Sequence, residues 1–191
     1  MRRFTGIFLF LILLTGTSGQ SIRPCYPYEL SLQTVAGKSY SLQKLKSDKA
    51  AVFVFLLPDC PACQSYTPTL NNLSRKYGKQ SVQFIGVVPG NYATPQEISG
   101  YVSQYKVVFP VVRDTSNRLV KCLSATVAPE AFVVDSKSIT RYVGRIDDWM
   151  VALGKKRPVI TAHDLEDAIV SVLKNKEVKV KKTKAIGCYI E

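Results

Sequence analysis

Seven apolar residues in a row, Ala51-Val52-Phe53-Val54-Phe55-Leu56-Leu57, form the strongest pattern in the chain. The run is too short for a helix and rich in Val and Phe, so it predicts a strand buried on both faces. Pro58 and Asp59 end it. Cys63, Tyr66, Leu70, Leu73 and Tyr77 then recur at helical spacing, with Pro61 where a helix tolerates its first residue. A helix over 61–77 follows. Before this unit, Leu30, Leu32 and Val35 lead into Gly37, and Tyr40 and Leu42 follow, which predicts a hairpin turning near Gly37. After it, 82–88 reads as a second buried strand. Thr94 and Glu97 supply both halves of a capping box for a helix reaching about Tyr105. A short strand over 109–112 and a helix capped by Asp114 or Ser116 come next. A strand over 131–134 turns at Asp135-Ser136-Lys137 into a partner over 139–143. Residues 144–162 read as a loop, and Leu165, Ala168, Ile169, Val172 and Leu173 lie on one face of a last helix. Strands alternating with helices, then a closing hairpin and helix, predict an α/β sandwich: a mixed central sheet with helices on both faces.

The chemistry sits at the end of the apolar run. Cys60 falls between a buried strand and a helix N-terminus, with Cys63 one turn further in. Unpaired helix N–H groups and the helix dipole stabilise a thiolate on Cys60. A thiolate attacks disulfides, and a second thiol one turn away forms the internal disulfide that releases a bound partner. The expected redox-active disulfide is therefore Cys60–Cys63, with Cys60 attacking and Cys63 resolving. Such chemistry needs no cofactor. A zinc site would need a second pair of ligands, and the chain has no other C-x-x-C and a single His. Two inert core cysteines are the bland alternative.

The first residues do not belong to this domain. Arg2-Arg3, an apolar stretch over 7–14 and small polar residues before Gln20 make a secretory signal, residues 1–19, too short to span a bilayer. Export places the chain in a periplasmic or other extracytoplasmic space where disulfides persist. The expected organisation is a redox domain over 24–178 and a basic tail over 179–191. The formal charge of +12 becomes +10 without Arg2 and Arg3 (12 − 2). Much of it falls at Lys174, Lys176, Lys179, Lys181, Lys182 and Lys184. That cluster suits an acidic partner or an anionic membrane surface, or is simply a solvated tail. Nucleic acid does not fit an exported chain without a binding motif. Cys122, beside Leu119 and Leu123, reads as a small core residue. Cys25 and Cys188 are left to pair with each other, to exchange with Cys60 or to stay free. Trp149 lies in a stretch dense with Arg145, Asp147, Asp148, Lys155, Lys156 and Arg157. It reads either as a docking surface or as a salt-bridged loop whose Trp covers the core.

Cys60-Pro61-Ala62-Cys63 after a buried strand, Pro68 five residues on, and Val127-Ala128-Pro129 before a later strand together resemble the thioredoxin superfamily. The extra strand and helix before Pro129 are similar to its redoxin branch, the alkyl-hydroperoxide-reductase and thiol-specific-antioxidant type, and to exported members of it. The resemblance implies the three-layer thioredoxin-like fold. It implies a cis peptide at Pro129, with Ala128 and Pro129 presenting backbone to a substrate. It also implies protein thiols or disulfides as partners, together with an electron donor. Three departures matter. Asp59 stands where a thioredoxin has Trp, and its charge opposes a thiolate on Cys60. The strand before the motif lacks the usual buried acid, for which Glu130 is the candidate substitute. Leu57 stands where a peroxidatic site has Thr. The leading expectation is thus a thiol–disulfide oxidoreductase. A peroxiredoxin-like thiol peroxidase is second. A copper-delivery module is third, disfavoured by the two-residue cysteine spacing and the distant His163.

Overall fold

The computed structural model describes residues 25–191, so the expected export signal lies outside the described residues. The strands are β1 (Ser31–Thr34), β2 (Ser39–Ser41), β3 (Ala50–Phe55), β4 (Val82–Pro89), β5 (Val111–Asp114), β6 (Val127–Ala128), β7 (Glu130–Asp135), β8 (Thr140–Gly144), β9 (Met150–Ala152), β10 (Lys155–Lys156) and β11 (Cys188–Tyr189). The helices are α1 (Pro61–Gly78), α2 (Pro95–Gln104), α3 (Arg118–Leu123) and α4 (Asp164–Leu173). Seven strands form one sheet in the order β2-β1-β5-β4-β3-β7-β8. β3 pairs parallel with β4 and antiparallel with β7, so the sheet is mixed, as expected. α1 and α2 are the crossovers of two consecutive parallel β-α-β units.

All six residues of β3 are buried, which requires cover on both faces of the sheet centre. α1 supplies part of that cover with Tyr66, Leu70, Leu73 and Tyr77, and carries Pro68 in its interior. α4 packs on β7, β8 and β3. The hairpin turns at Gly37, whose φ of +79° favours glycine. Both halves of the Thr94–Glu97 capping box form.

Three expectations change, and the cap of α3 is resolved. β5 starts at Val111 rather than 109, after Pro110. α3 has Asn117, in the left-handed region, as its N-cap residue. Of the two expected capping residues it is Asp114 that acts: its carboxylate accepts the N–H groups of Arg118, Leu119 and Val120 at 2.9, 2.7 and 2.9 Å. The stretch 144–162 is not all loop, because β9 and β10 form a small hairpin there. The C-terminal segment is not a free tail. Val143 N–H donates to Lys181 O, Thr183 N–H donates to Val143 O, and Thr183 Oγ1 shares a hydrogen bond with Tyr142 OH. Ala185 is buried, while the six late lysines stay exposed, so their charge faces water from a docked segment.

Candidate active site

β3 carries the chain to Leu57 at the edge of the core, and Pro58-Asp59 turn it into α1. Cys60 is the N-cap residue of that helix with Pro61 at its first position. Its N–H donates to Leu57 O at 3.0 Å, and Gln64 N–H donates to Cys60 O at 3.0 Å. The side chain makes no cap bond, so Cys60 Sγ is left for other contacts. Cys63 sits one turn inside, fully buried, with Leu57 N–H donating to its Sγ at 3.4 Å. Burial pushes the Cys63 thiol up to about 12; the Leu57 bond pulls it down and the Asp59 charge pushes it up further.

The Ala128–Pro129 peptide is cis, as the resemblance implied, and lies against the motif. Cys60 Sγ is 3.4 Å from Ala128 O. Glu130, directly after Pro129, is 8% exposed and pairs opposite Phe55 at the end of β3. Burial holds its carboxyl above the ordinary range. Its side chain accepts Thr126 N–H at 3.1 Å, so it braces the start of β6. None of its hydrogen bonds goes to Cys63, the thiol whose proton a buried acid here would take. Asp59 is exposed and accepts the Tyr92 hydroxyl at 3.2 Å.

The cysteine pairing differs from the expected one. Cys60 is bonded to Cys188, with Cα atoms 6.2 Å apart, and Cys63 is a free thiol. β11 brings Cys188 there by pairing antiparallel with β6: Cys188 opposite Ala128, and Tyr189 opposite Val127. Ile190 N–H donates to Thr126 O at 3.0 Å and extends the pairing. Cys60 is consequently only 2% exposed. Cys122 is not a small core residue. It is half-buried and bonded to Cys25, with Cα atoms 5.3 Å apart. A bond between Cys188 and Cys60 is one of the alternatives that the residues alone leave open. Five cysteines and the alternation Ile186, Cys188, Ile190 were the available signals.

Trp149 covers the core rather than offering a docking face. It stacks edge-on against Tyr66 at 5.4 Å, with Lys156 Nζ 4.3 Å above its ring. The buried Asp147 accepts Tyr66 OH and Trp149 N–H, at 2.8 and 2.9 Å. Asp148 accepts the Thr161 and Ala162 N–H groups and pairs with Arg157. Among the described residues no cluster of three or more His, Cys, Asp or Glu is placed to hold a metal ion. No described helix is long and apolar enough to cross a membrane.

Residues 17–149 match the model of the Redoxin family. The chain is 27% identical over 110 residues to the thiol-disulfide oxidoreductase ResA of Bacillus cereus, covering 56% of this chain and 62% of the relative. It therefore spans less than two thirds of that relative's length. It is 27% identical over 126 residues to a thioredoxin-like protein of Haemophilus influenzae, covering 64% of this chain and 72% of the relative. A crystal structure of a hypothetical protein from Sinorhizobium meliloti superposes with a TM-score of 0.76 at 25% identity. That match covers 84% of this chain and 89% of the other.

Proposed function

Because the chain belongs to the Redoxin family, we propose that it is an exported thiol–disulfide oxidoreductase that exchanges disulfides with envelope proteins through Cys60 and Cys63. The Cys60 thiolate attacks a partner disulfide, bonds to one partner sulfur and releases the other as a thiolate. Cys63 then attacks Cys60 Sγ, forms the Cys60–Cys63 disulfide and releases the remaining partner thiolate. Two electrons pass to the partner, and a dithiol donor returns them. Run backwards, the same steps oxidise a dithiol partner. Ala128 and Pro129 present the backbone against which the partner lies, and Asp59 tunes the thiols through its charge.

The observation that carries this reading is the environment of Cys60. Its sulfur sits at a helix N-terminus, 3.4 Å from Ala128 O, with an extended strand laid across it through a disulfide. Export is supported by the signal-like residues 1–19 and by the Cys25–Cys122 bond, since such bonds persist in oxidising compartments. Peroxide is a poor substrate in this reading. Leu57 offers no hydroxyl, and its N–H is already donated to Cys63 Sγ.

The test is reduction of a disulfide-linked peptide by the pre-reduced protein. Cys60→Ser should abolish it, and the Cys63→Ser/Cys188→Ser double variant should accumulate a Cys60–peptide adduct visible by mass spectrometry. Exchange that survives Cys60→Ser would refute the assignment.

A further inference from the structure

We propose that the C-terminal strand is a tethered substrate: it occupies the β6 edge beside Pro129, holds Cys188 on Cys60 as a mixed disulfide, and departs when Cys63 displaces Cys188. This rests on the reading of Cys60 and Cys63 as an exchanging pair and adds to it a third redox residue and a substrate geometry. The matched family span ends at residue 149, so the strand lies outside it.

The segment is fitted to its seat at two places. A Cβ on Gly187 would overlap the carbonyl of Ala128, so only glycine lets the strand lie this close to the peptide before Pro129. A Cβ on Gly144 would overlap the backbone of Thr183, and Gly144 has φ +146°. Between these seats Thr183 Oγ1 accepts Arg145 N–H at 3.0 Å and shares a hydrogen bond with Tyr142 OH. Ala185 is buried, and Ile186, Cys188 and Ile190 pack on the core. A polypeptide bound as an added strand gains affinity from main-chain bonds and specificity from side chains at fixed positions. β11 has that form on β6.

The step balances without any co-reactant. The Cys63 thiol loses its proton to solvent and its sulfur attacks Cys60 Sγ. The Cys60–Cys188 bond breaks as Cys60–Cys63 forms, and Cys188 leaves as a thiolate that takes up a proton. Total oxidation is unchanged; one disulfide becomes its isomer. The burial that keeps Cys63 protonated lets the closed isomer persist. Opening frees the β6 edge for an extended polypeptide that carries a cysteine preceded by a residue without side-chain bulk, as Gly187 precedes Cys188.

A tethered competitor acts at an effective concentration in the millimolar range. A free peptide at ~10 µM meets an occupied edge, and removing the competitor raises its apparent rate by about tenfold or more. The experiment uses the full chain as wild type, Gly187→Val and Cys188→Ser. Each oxidised protein is alkylated and its disulfides mapped by non-reducing digestion and mass spectrometry. Wild type should give a Cys60–Cys188 peptide, and both variants should give Cys60–Cys63. Each reduced protein is then mixed with a disulfide-linked dimer of a short Gly-Cys-Tyr peptide, and Gly187→Val, whose strand cannot seat against Ala128, should consume it about tenfold or more faster than wild type. Wild type mapping as Cys60–Cys63 with Cys188 alkylated, or Gly187→Val no faster than wild type, would overturn the proposal and leave Cys60 chemistry standing. Loss of the underlying reading shows separately, as peptide reduction that persists in Cys60→Ser.

Discussion

The buried Cys63 makes a quantitative demand on the resolving step. An ordinary thiol near 9.0 is ionised to about one part in a hundred at neutral pH, whereas Cys63, pushed up to about 12, is ionised to about one part in 10⁵. The thiolate deficit is about 1000-fold. The more basic thiolate is the better nucleophile, and a Brønsted coefficient of about 0.4–0.5 returns about 15–30-fold over three pH units. Net attack is about 30–60-fold slower than by an ordinary thiol in the same place. The sign with pH follows: below its pKa, Cys63 gains thiolate tenfold per pH unit, so resolution accelerates as pH rises, with no plateau up to about pH 9. The assay loads Cys60 of the Cys188→Ser variant with an aromatic thiol and follows its release by stopped-flow absorbance from about pH 6 to about pH 9. The groups that bear on Cys63 include Leu57, Asp59 and Tyr101, from the β3–α1 turn and α2, so removing the Cys188 link leaves them in place. Asp59→Asn removes one upward influence on the thiol. Asp59 is exposed and screened, and worth about 0.2–1 kcal/mol, so release should quicken by no more than about fivefold. A flat profile, or a plateau below about pH 8, would refute burial as the control on Cys63. Slower release in Asp59→Asn would refute the charge effect.

Two stability predictions follow from the same elements. Asp114→Ala leaves three N–H groups at the start of α3 without their acceptor and should cost about 2–4 kcal/mol in chemical denaturation; a change within experimental error would show that water replaces the carboxylate. The Cys25→Ser/Cys122→Ser double variant opens a cross-link spanning 97 residues and should lower stability by about 2–5 kcal/mol relative to the oxidised wild type, with no loss against the reduced wild type.

The parts of the fold set by local patterns were legible in the sequence. The β3 run, the spacing of α1, the Thr94–Glu97 box and the turn at Gly37 each carry their cause within a few residues, and each forms where expected. The motif itself was legible for the same reason: a thiol at a strand–helix junction is a local arrangement. What was not legible depends on pairings across long separations. The Cys60–Cys188 contact spans 128 residues and the Cys25–Cys122 contact 97, and nothing in a spacing reports either. The basic composition of 179–184 concealed the docking of the C-terminal segment. Its lysines do face water, but backbone bonds to Val143 and glycine seats, not apolar burial alone, hold the strand. The β9–β10 hairpin escaped because Met150 is its one buried residue, too short a signal to set an alternation.

The division of the cysteines makes sense once β6 is seen as the element that must not move. The proposed exchange at Cys60 needs the incoming sulfur placed closely in line, and the backbone nearest the Cys60 sulfur is that of Ala128, 3.4 Å away. β6 has only two residues and begins four after α3 ends, so it cannot hold itself. It is fixed from both sides. Upstream, Asp114 anchors the start of α3, and the bond from Cys122 to Cys25 anchors its end. Cys25 in turn leads to Tyr28, fully buried and donating its hydroxyl to Val134 O in β7 at 2.9 Å. Downstream, Glu130 holds Thr126 N–H while its own backbone is locked opposite Phe55. Two cysteines therefore brace the edge beside which the other three lie. The buried Glu130 has a structural reason to be there, so its raised pKa alone is no evidence of proton transfer. A carboxyl tied to Thr126 steadies the strand that lies against Cys60, a structural role that accounts for its burial without any transfer of the Cys63 proton.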